Sequence, residues 1–421
     1  MSYWCQKPPD RRQERSVLQL ITAIKHLSWD DVEDRLRKHP NEASETDKFN
    51  VTALFHAIRK RHCSVPIHII SALIEAHPQS LEIVDHQTGN NALHIACMNS
   101  GEDATHDSNN EVVTMIIEAN PNGTKHLSKE AKLPLHRAKN VDIASKLIQV
   151  YPQGLGIATK NYKYLPLHSA CSDNTVPPDV VKLLIEHGRD QEIGKACGPR
   201  NDYCGGVLSE DIYGEIPLKI LFKRILFGSK STEHGLLIDQ HSPLWDKLCI
   251  VAKATFEALQ CFPMGWQSKP TPLVHAIIEC GGHPKIVQHA LMLHPEEINF
   301  RDERGKTPLM IAAGKVNTLP EIFELLLSDA SAAEMSDSDG RMPLHLAVAS
   351  GRTLNNGVAM ITKAAPLALQ TCDRKTKMYP FMLASVPTYG WDNTCIDTIY
   401  TLLRDAPNVM QSFCDEDQSF L

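Results

Sequence analysis

The sequence predicts an all-α solenoid of about ten helix pairs, with protruding finger turns and one irregular central insertion. Three observations predict it. One hexapeptide phrase recurs nine times in the 421 residues. Apolar runs at helical spacing alternate with that phrase, and most of them end in proline. From each such ending to the third position of the next phrase the distance is 14 or 15 residues in seven of nine cases. Periodicity of this kind has to be weighed before any count of globular domains from length.

The phrase reads Thr52-Ala-Leu-Phe-His-Ala57, Asn91-Ala-Leu-His-Ile-Ala96, Leu133-Pro-Leu-His-Arg-Ala138 and Leu165-Pro-Leu-His-Ser-Ala170 in the first half. It continues as Ile216-Pro-Leu-Lys-Ile-Leu221, Thr271-Pro-Leu-Val-His-Ala276, Thr307-Pro-Leu-Met-Ile-Ala312, Met342-Pro-Leu-His-Leu-Ala347 and Tyr379-Pro-Phe-Met-Leu-Ala384. Proline in the second slot suits the first turn of a helix, where its missing N–H would have no partner anyway. Leu in the third slot and Ala in the sixth lie on one face of that helix. Leu fills the space between helices, and Ala lets a neighbour come close.

A second helix follows, as in Pro178-Asp-Val-Val-Lys-Leu-Leu-Ile-Glu-His187, with apolar residues at helical intervals. The run then stops, at Pro40, Pro78, Pro121, Pro152, Pro263, Pro295, Pro366 and Pro407, with Gly188 and Ala330 at the two exceptions. The connectors carry turn residues: Asp85-His-Gln-Thr-Gly89, Asp302-Glu-Arg-Gly305 and Asp337-Ser-Asp-Gly340.

Helix, turn, helix, protruding turn: this arrangement resembles the ankyrin repeat, whose signature is Thr-Pro-Leu-His-x-Ala followed by a longer helix and a finger. The resemblance covers roughly residues 16 to 414 and is closest at Gly340-Arg-Met-Pro-Leu-His-Leu-Ala-Val-Ala-Ser-Gly351. Most second helices here stop at proline where the family uses glycine. The family histidine stands in the fourth slot of only four copies, His94, His136, His168 and His345. The resemblance implies that this histidine is bonded to the first slot and to nearby backbone, and that the other copies do without it.

The expected organisation is a polar segment at 1–15, repeats at 16–188, an irregular repeat with insertions at 189–262, repeats at 263–407, and an acidic tail at 408–421. Ser16 to Ile24 and Ser28 to His39 read as a first pair without the hexapeptide. Ser28 is the expected N-cap, and Glu33–Arg37 and Asp34–Lys38 have ion-pair spacing. In the irregular repeat the connector from Gly188 to Leu218 is 30 residues, and Leu218 to Pro263 takes 45. That excess reads as a lengthened first helix, a loop near Gly228 to Ser242, and a long helix from Pro243 to Gln260.

Composition narrows function. The net charge of −7 and an even Lys+Arg count, 21 against 22 Asp+Glu in residues 1–188 and 22 against 28 in the rest, argue against nucleic-acid binding. The polar N-terminus does not read as a secretory signal, and no apolar run reaches membrane-spanning length. The 12 cysteines are scattered, several within apolar helical patterns, so a reducing compartment is expected, cytoplasm or nucleus. Arg59-Lys-Arg-His62 reads as a solvated helix end.

The motif histidines recur one repeat apart and cannot converge on one ion. Cys197, Cys204, His234 and His241 hint at a metal-dependent regulator or enzyme in the insertion, but each pair is seven residues apart, wider than zinc sites favour. Gly154-Leu-Gly156 lacks the third glycine of a phosphate loop. Neither a nucleophile elbow nor a metalloprotease motif is present. The expectation is a non-catalytic scaffold, without cofactor or metal, and monomeric.

The family resemblance implies partner binding along the finger tips and the inner helices. By slot, the tip residues are Phe49, His86, Lys129, Tyr162, Tyr164, Asp302, Arg304, Asp339, Arg341, Arg374 and Lys377. With Lys160, Lys163, Arg301 and Lys375 beside them, several tips are basic in an acidic chain. The expected partner is another protein, with an acidic and partly apolar surface or segment; aromatic tips such as Tyr162 and Tyr164 are the kind that anchor interfaces. Neither nucleic acid nor a membrane is expected.

Overall fold

The computed structural model describes residues 11–59, 65–101, 107–191, 205–228, 231–232, 235–236, 242–260, 272–302, 304–386 and 393–409. The chain divides into two compact units, Met1–Leu221 and Phe222–Leu421, each an α-solenoid. The division falls inside the expected irregular segment.

In the first unit, α1 (Arg11–His26) and α2 (Trp29–Lys38) form the opening pair. Then follow α3 (Ala53–Ile58), α4 (Ile67–Ala76), α5 (Ala92–Asn99), α6 (Asp107–Ala119), α7 (Val141–Val150), α8 (Pro166–Ser172), α9 (Pro178–Asp190) and α10 (Pro217–Gly228). The unit boundary lies within α10. One inner layer stacks α1 on α3 on α5, then a 3₁₀ turn Pro134–Arg137, then α8; an outer layer stacks α2, α4, α6, α7 and α9. The third repeat has no room for a full inner helix, because Asn140 caps α7 at once, its side chain accepting the Asp142 and Ile143 amides.

The second unit holds a two-residue ladder, β1 (Ser231–Thr232) with β2 (Gly235–Leu236), and then α11 (Pro243–Gln260). After it come α12 (Leu273–Glu279), α13 (Pro284–Leu293), α14 (Pro308–Ala313), α15 (Pro320–Leu326), α16 (Ser331–Glu334), α17 (Pro343–Ala349), α18 (Val358–Ala364), α19 (Pro380–Ser385) and α20 (Asn393–Asp405). Here α12, α14, α17 and α19 stack as the inner layer, and α13, α15 and α18 as the outer.

The core follows the hexapeptide. Leu54, Leu93, Leu218, Leu309 and Leu344 are buried, as are the sixth-slot Ala57, Ala96, Ala276, Ala312 and Ala347. Buried cysteines act as small apolar residues; burial pushes the Cys97 thiol up to about 12. At the N-terminal pair, Arg37 bonds Glu33 at 3.1 Å and Lys38 bonds Asp34 at 2.5 Å, as the spacing predicts. Ser28 holds the N-cap position, but its side chain makes no cap hydrogen bond.

The prolines act one step later than the sequence implies. At Pro40, Pro78, Pro121, Pro152, Pro295 and Pro366 the α-helix has already ended two residues before, and the proline opens a 3₁₀ turn. The residue before each proline is driven out of the helical region, with φ between −130° and −147°, at His39, His77, Asn120, Tyr151, His294 and Ala365. Thus the pre-proline residue stops the helix, and the 3₁₀ turn leads the chain toward the finger.

The two exceptions work differently. Gly188 does not end its helix, since α9 runs on to Asp190; a Cβ there would strike the Gly205 backbone. The glycine is spent on close approach. Ala330 precedes the short α16, which takes the place of the 3₁₀ turn, with Asp329 accepting the Ser331 amide at 3.0 Å.

Candidate functional site

Each finger is built around one side-chain acceptor. In four fingers an Asp takes the amides two and four residues on: Asp47 those of Phe49 and Val51, Asp211 those of Tyr213 and Glu215, Asp302 those of Arg304 and Lys306, and Asp337 those of Asp339 and Arg341. The distances run from 2.7 to 3.0 Å. Asp85 and Asp373 head turns one residue longer, in which Thr88 and Thr376 hydroxyls also donate to the Asp. Ser128 and Thr159 hydroxyls accept the corresponding amides of Lys132 and Tyr164. These are side-chain-closed turns of the Asx type.

Successive fingers are tied together through their backbones. The His86 amide donates to the Phe49 carbonyl at 3.0 Å, Lys129 to Thr88 at 3.0 Å, Lys160 to Glu130 at 2.8 Å, and Ile212 to Tyr162 at 3.1 Å. In the second unit, Ser338 donates to Arg304 at 3.1 Å. The tip side chains on these fingers therefore stand on a backbone fixed by a neighbour.

The eleven sequence-derived tip residues are not equivalent. Phe49, His86, Lys129, Tyr162, Arg304, Asp339, Arg374 and Lys377 are exposed. Asp302 is half-buried, with its carboxylate committed to its own turn. Arg341 lies beside the Asp373 carboxylate at 3.6 Å, and Asp339 has Lys375 at 3.7 Å. The Lys129 ammonium donates to the His86 carbonyl at 2.5 Å, and Arg301 to the Ser336 carbonyl at 3.0 Å. Tyr164 is half-buried, stacked on His168 at 5.6 Å and 5.5 Å from the Tyr162 ring.

Beside Tyr162 stand two residues that the sequence reading passed over. Tyr162 is 47% exposed, Ile212 44% and Tyr213 68%, which puts two aromatics and an isoleucine on adjacent fingers. The signal was present: Asp211-Ile-Tyr-Gly214 has the spacing of Asp302-Glu-Arg-Gly305. The 30-residue connector around it hid the finger.

The histidines are part of the frame. The Nδ1 of His136, His168 and His345 accepts the first-slot amide of its own repeat at 3.1–3.2 Å, which places the proton on Nε2. That Nε2–H donates to a carbonyl ahead: Tyr164 at 3.1 Å, Ser209 at 3.0 Å and Thr371 at 2.8 Å; His94 reaches Lys132 at 2.8 Å. Burial lowers all four pKa values, that of His94 to about 3 and that of His136 to about 4.

His275 corrects the expectation that the other copies do without such a histidine. It stands in the fifth slot, yet its Nε2 reaches the Lys306 carbonyl at 3.0 Å as the others do. The reason is a slip of register: α12 begins at Leu273 with Pro272 as its cap, so His275 takes the place that the fourth slot holds elsewhere. The Glu297 carboxylate then serves the exposed helix start, accepting the Leu273 amide at 3.1 Å and the Val274 amide at 2.7 Å.

Among the described residues no group of three or more His, Cys, Asp or Glu could hold a metal ion. Cys197, Cys204, His234 and His241 lie outside the described residues. Among the described residues no helix is long and apolar enough to cross a membrane. Lys60 to His62 of the basic run also fall outside; Arg59 is the exposed C-cap of α3.

Stacked helix pairs, inner-helix capping by motif histidines and Asp-closed fingers define an α-solenoid made of finger-bearing repeats. Residues 269–363, within the second unit, match the family model for ankyrin repeats, in three copies, which supports an ankyrin-repeat protein. No curated protein matches the sequence. Among solved structures, one chain of the complex between the predatory endopeptidase Bd0816 from Bdellovibrio bacteriovorus and immunity protein Bd3460 overlaps 48% of this chain and 89% of its own, at 16% identity and a TM-score of 0.36.

Proposed function

We propose that this chain is a non-catalytic scaffold or adaptor that binds a partner protein on the finger turns and the inner-helix face. The observation that carries the reading is the exposed row Tyr162, Ile212 and Tyr213 on hydrogen-bonded neighbouring fingers. Large aromatic surface on a fixed backbone costs little entropy to bind with, and such residues dominate interface energetics. The exposed Arg304, Arg374 and Lys377 add positive charge at other tips, which favours an acidic partner segment. A monomer acting in the cytoplasm or nucleus fits the same reading.

The test is a crosslinked pull-down with mass spectrometry, wild type against Tyr162→Ala/Tyr213→Ala/Arg304→Ala. The expected result is a protein recovered with wild type and lost from the variant, with the melting temperature of the variant unchanged. Partners that survive those substitutions but vanish when residues 195–210 are deleted would move the site to the insertion. Stoichiometric metal in purified protein, lost on Cys197 and Cys204 substitution, would replace the scaffold reading with a metal-dependent one.

A further inference from the structure

Three successive fingers of the second unit, headed by Asp302, Asp337 and Asp373, run against the charge of the chain. Residues 301–306, 337–341 and 373–377 carry seven Lys and Arg against five Asp and Glu, where the whole chain has a net charge of −7. The cations there fall into two sets. Arg301 donates to the Ser336 carbonyl at 3.0 Å, Arg341 lies 3.6 Å from Asp373, and Lys375 lies 3.7 Å from Asp339. Arg304, Arg374 and Lys377 are exposed, and among the described residues none of the three has an ion-pair partner.

The second set recurs at one place on each finger. Gly305, Gly340 and Lys377 occupy equivalent slots: each donates its amide to the carbonyl of the Asp that heads its finger, at 2.9, 3.0 and 2.7 Å. Their φ angles are 71°, 77° and 59°. Left-handed backbone favours glycine, and the third finger puts a cation there instead. Arg304 adjoins Gly305 on the first finger. Arg374 reaches back to the second: a Cβ on Gly340 would lie 2.5 Å from its Cδ and 3.1 Å from its Nε. The Arg374 stem therefore crosses Gly340, on a finger whose own Arg341 is engaged with Asp373. One uncommitted cation thus stands at or beside the left-handed slot of each of three successive fingers.

We propose that this row binds an acidic segment of a partner protein in polyproline II conformation, with a carboxylate on every third residue, one for each finger. Stacked helical layers lie about 8–10 Å apart. A polyproline II chain has about three residues per turn and rises about 3.1 Å per residue, so every third side chain returns to one face after about 9 Å. A β-strand repeats its face every two residues, about 6.7 Å, and falls out of step with the fingers. Single-stranded nucleic acid is held by aromatic platforms beside the cations, and a bilayer by apolar residues that insert. Residues 301–306, 337–341 and 373–377 contain neither kind. The inference rests on the scaffold reading above and gives the partner's segment its conformation and its charge register.

Random dodecapeptides displayed on phage and selected against the full chain at low salt test it. Selected peptides are expected to share Asp or Glu at positions i, i+3 and i+6, with proline enriched between them. One exposed ion pair contributes little, so the register carries the effect: moving the three acids of a selected peptide to adjacent positions should lower affinity about tenfold. Arg304→Glu is expected to turn selection toward Lys or Arg at one end of the pattern, and Lys377→Glu at the other, with both thermal melts unchanged. Misfolding cannot mimic a change confined to one position. No enrichment, acids spaced by two or four, or the wild-type pattern selected by Arg304→Glu overturns the proposal. So does a selected peptide displaced more readily by a single-stranded oligonucleotide or by phosphatidylserine vesicles than by polyglutamate of equal charge. Partners captured equally by wild type and Arg304→Gln/Arg374→Gln/Lys377→Gln would sink the row and leave the scaffold reading standing. A pull-down without any partner, with the peptide pattern intact, would do the reverse.

Discussion

The carboxylate of Glu297 accepts the amide of Val274 at 2.7 Å, so the turn that closes this repeat caps the inner helix that opened it. Other inner helices are capped from their own first or fourth slot: Thr307 by its hydroxyl, and Met342 through the ring of His345. In α12 the cap position is held by Pro272, which has no side-chain acceptor, and Glu297 supplies one from 23 residues away.

Glu297→Ala should therefore destabilise α12 by about 1–2 kcal/mol, the usual cost of losing a cap. Glu297→Gln should recover part of that, because its amide oxygen still accepts one of the two amides. Hydrogen exchange at Leu273 and Val274 would report the loss locally. Unchanged protection there would show that the carboxylate contributes nothing to the helix start.

Acid should weaken the fold before its carboxylates titrate. Burial, the largest cause in each case, depresses the pKa of His94, His136, His168, His275 and His345. Above pH 6.5 both folded and unfolded chains hold these rings neutral, so stability is at its full value. Below 6.5 the unfolded chain takes up protons that the folded chain refuses, and stability falls by up to about 1.4 kcal/mol per pH unit for each such histidine. For His136 the loss continues down to about pH 4. A melting temperature that drops between pH 7 and pH 5, less steeply in His345→Gln, is the expected result; a flat profile would refute it.

Arg352 is predicted to be the most sensitive single cation in the second unit. It is 3% exposed, donates to the carbonyls of Asn356 and Thr318 at 2.7 and 2.9 Å and to that of Lys315, and lies 4.6 Å over the Phe323 ring. Burial brings its pKa down to about 10, and the carbonyl fork holds it charged at neutral pH. Arg352→Met takes the guanidinium from the half-buried carbonyls of Asn356, Thr318 and Lys315, of which the last keeps the Thr318 amide, and should cost about 2 kcal/mol. Arg352→Lys should recover less than half, since one ammonium cannot span that fork. Urea denaturation of the three proteins decides it.

Charge at the tips gives a separate, functional prediction. Arg304→Glu with Lys377→Glu should weaken partner binding at least tenfold at low salt and flatten its dependence on ionic strength, with stability altered by less than about 0.5 kcal/mol. Equal affinity at low salt would mean that these cations only keep the tips hydrated.

Much of the repeat was legible because it is local. Leu54 and Ala57, or Leu344 and Ala347, lie three residues apart on one helical face, and their burial follows from that spacing alone. The finger that begins at Asp211 was legible in principle, from an Asp three residues before a Gly, and was obscured by the length of the connector around it. His275 was misread because the hexapeptide was aligned on its Pro-Leu pair, and nothing within those six residues reveals that the helix starts one residue late.

By itself, the sequence determined the class of the molecule: helix pairs, a repeat period, Asp-headed turns and a basic set of tips in an acidic chain. Those features rest on contacts within a few residues, where spacing along the chain is spacing in space. Only the tertiary structure decided which tips stay exposed and which, like Asp302 and Arg341, are engaged within and between fingers. It also decided that the Arg374 stem crosses Gly340 of the finger before it. Those relationships join residues up to 34 positions apart through the stacking of repeats, and stacking geometry is set by packing across the layers, which no local pattern encodes.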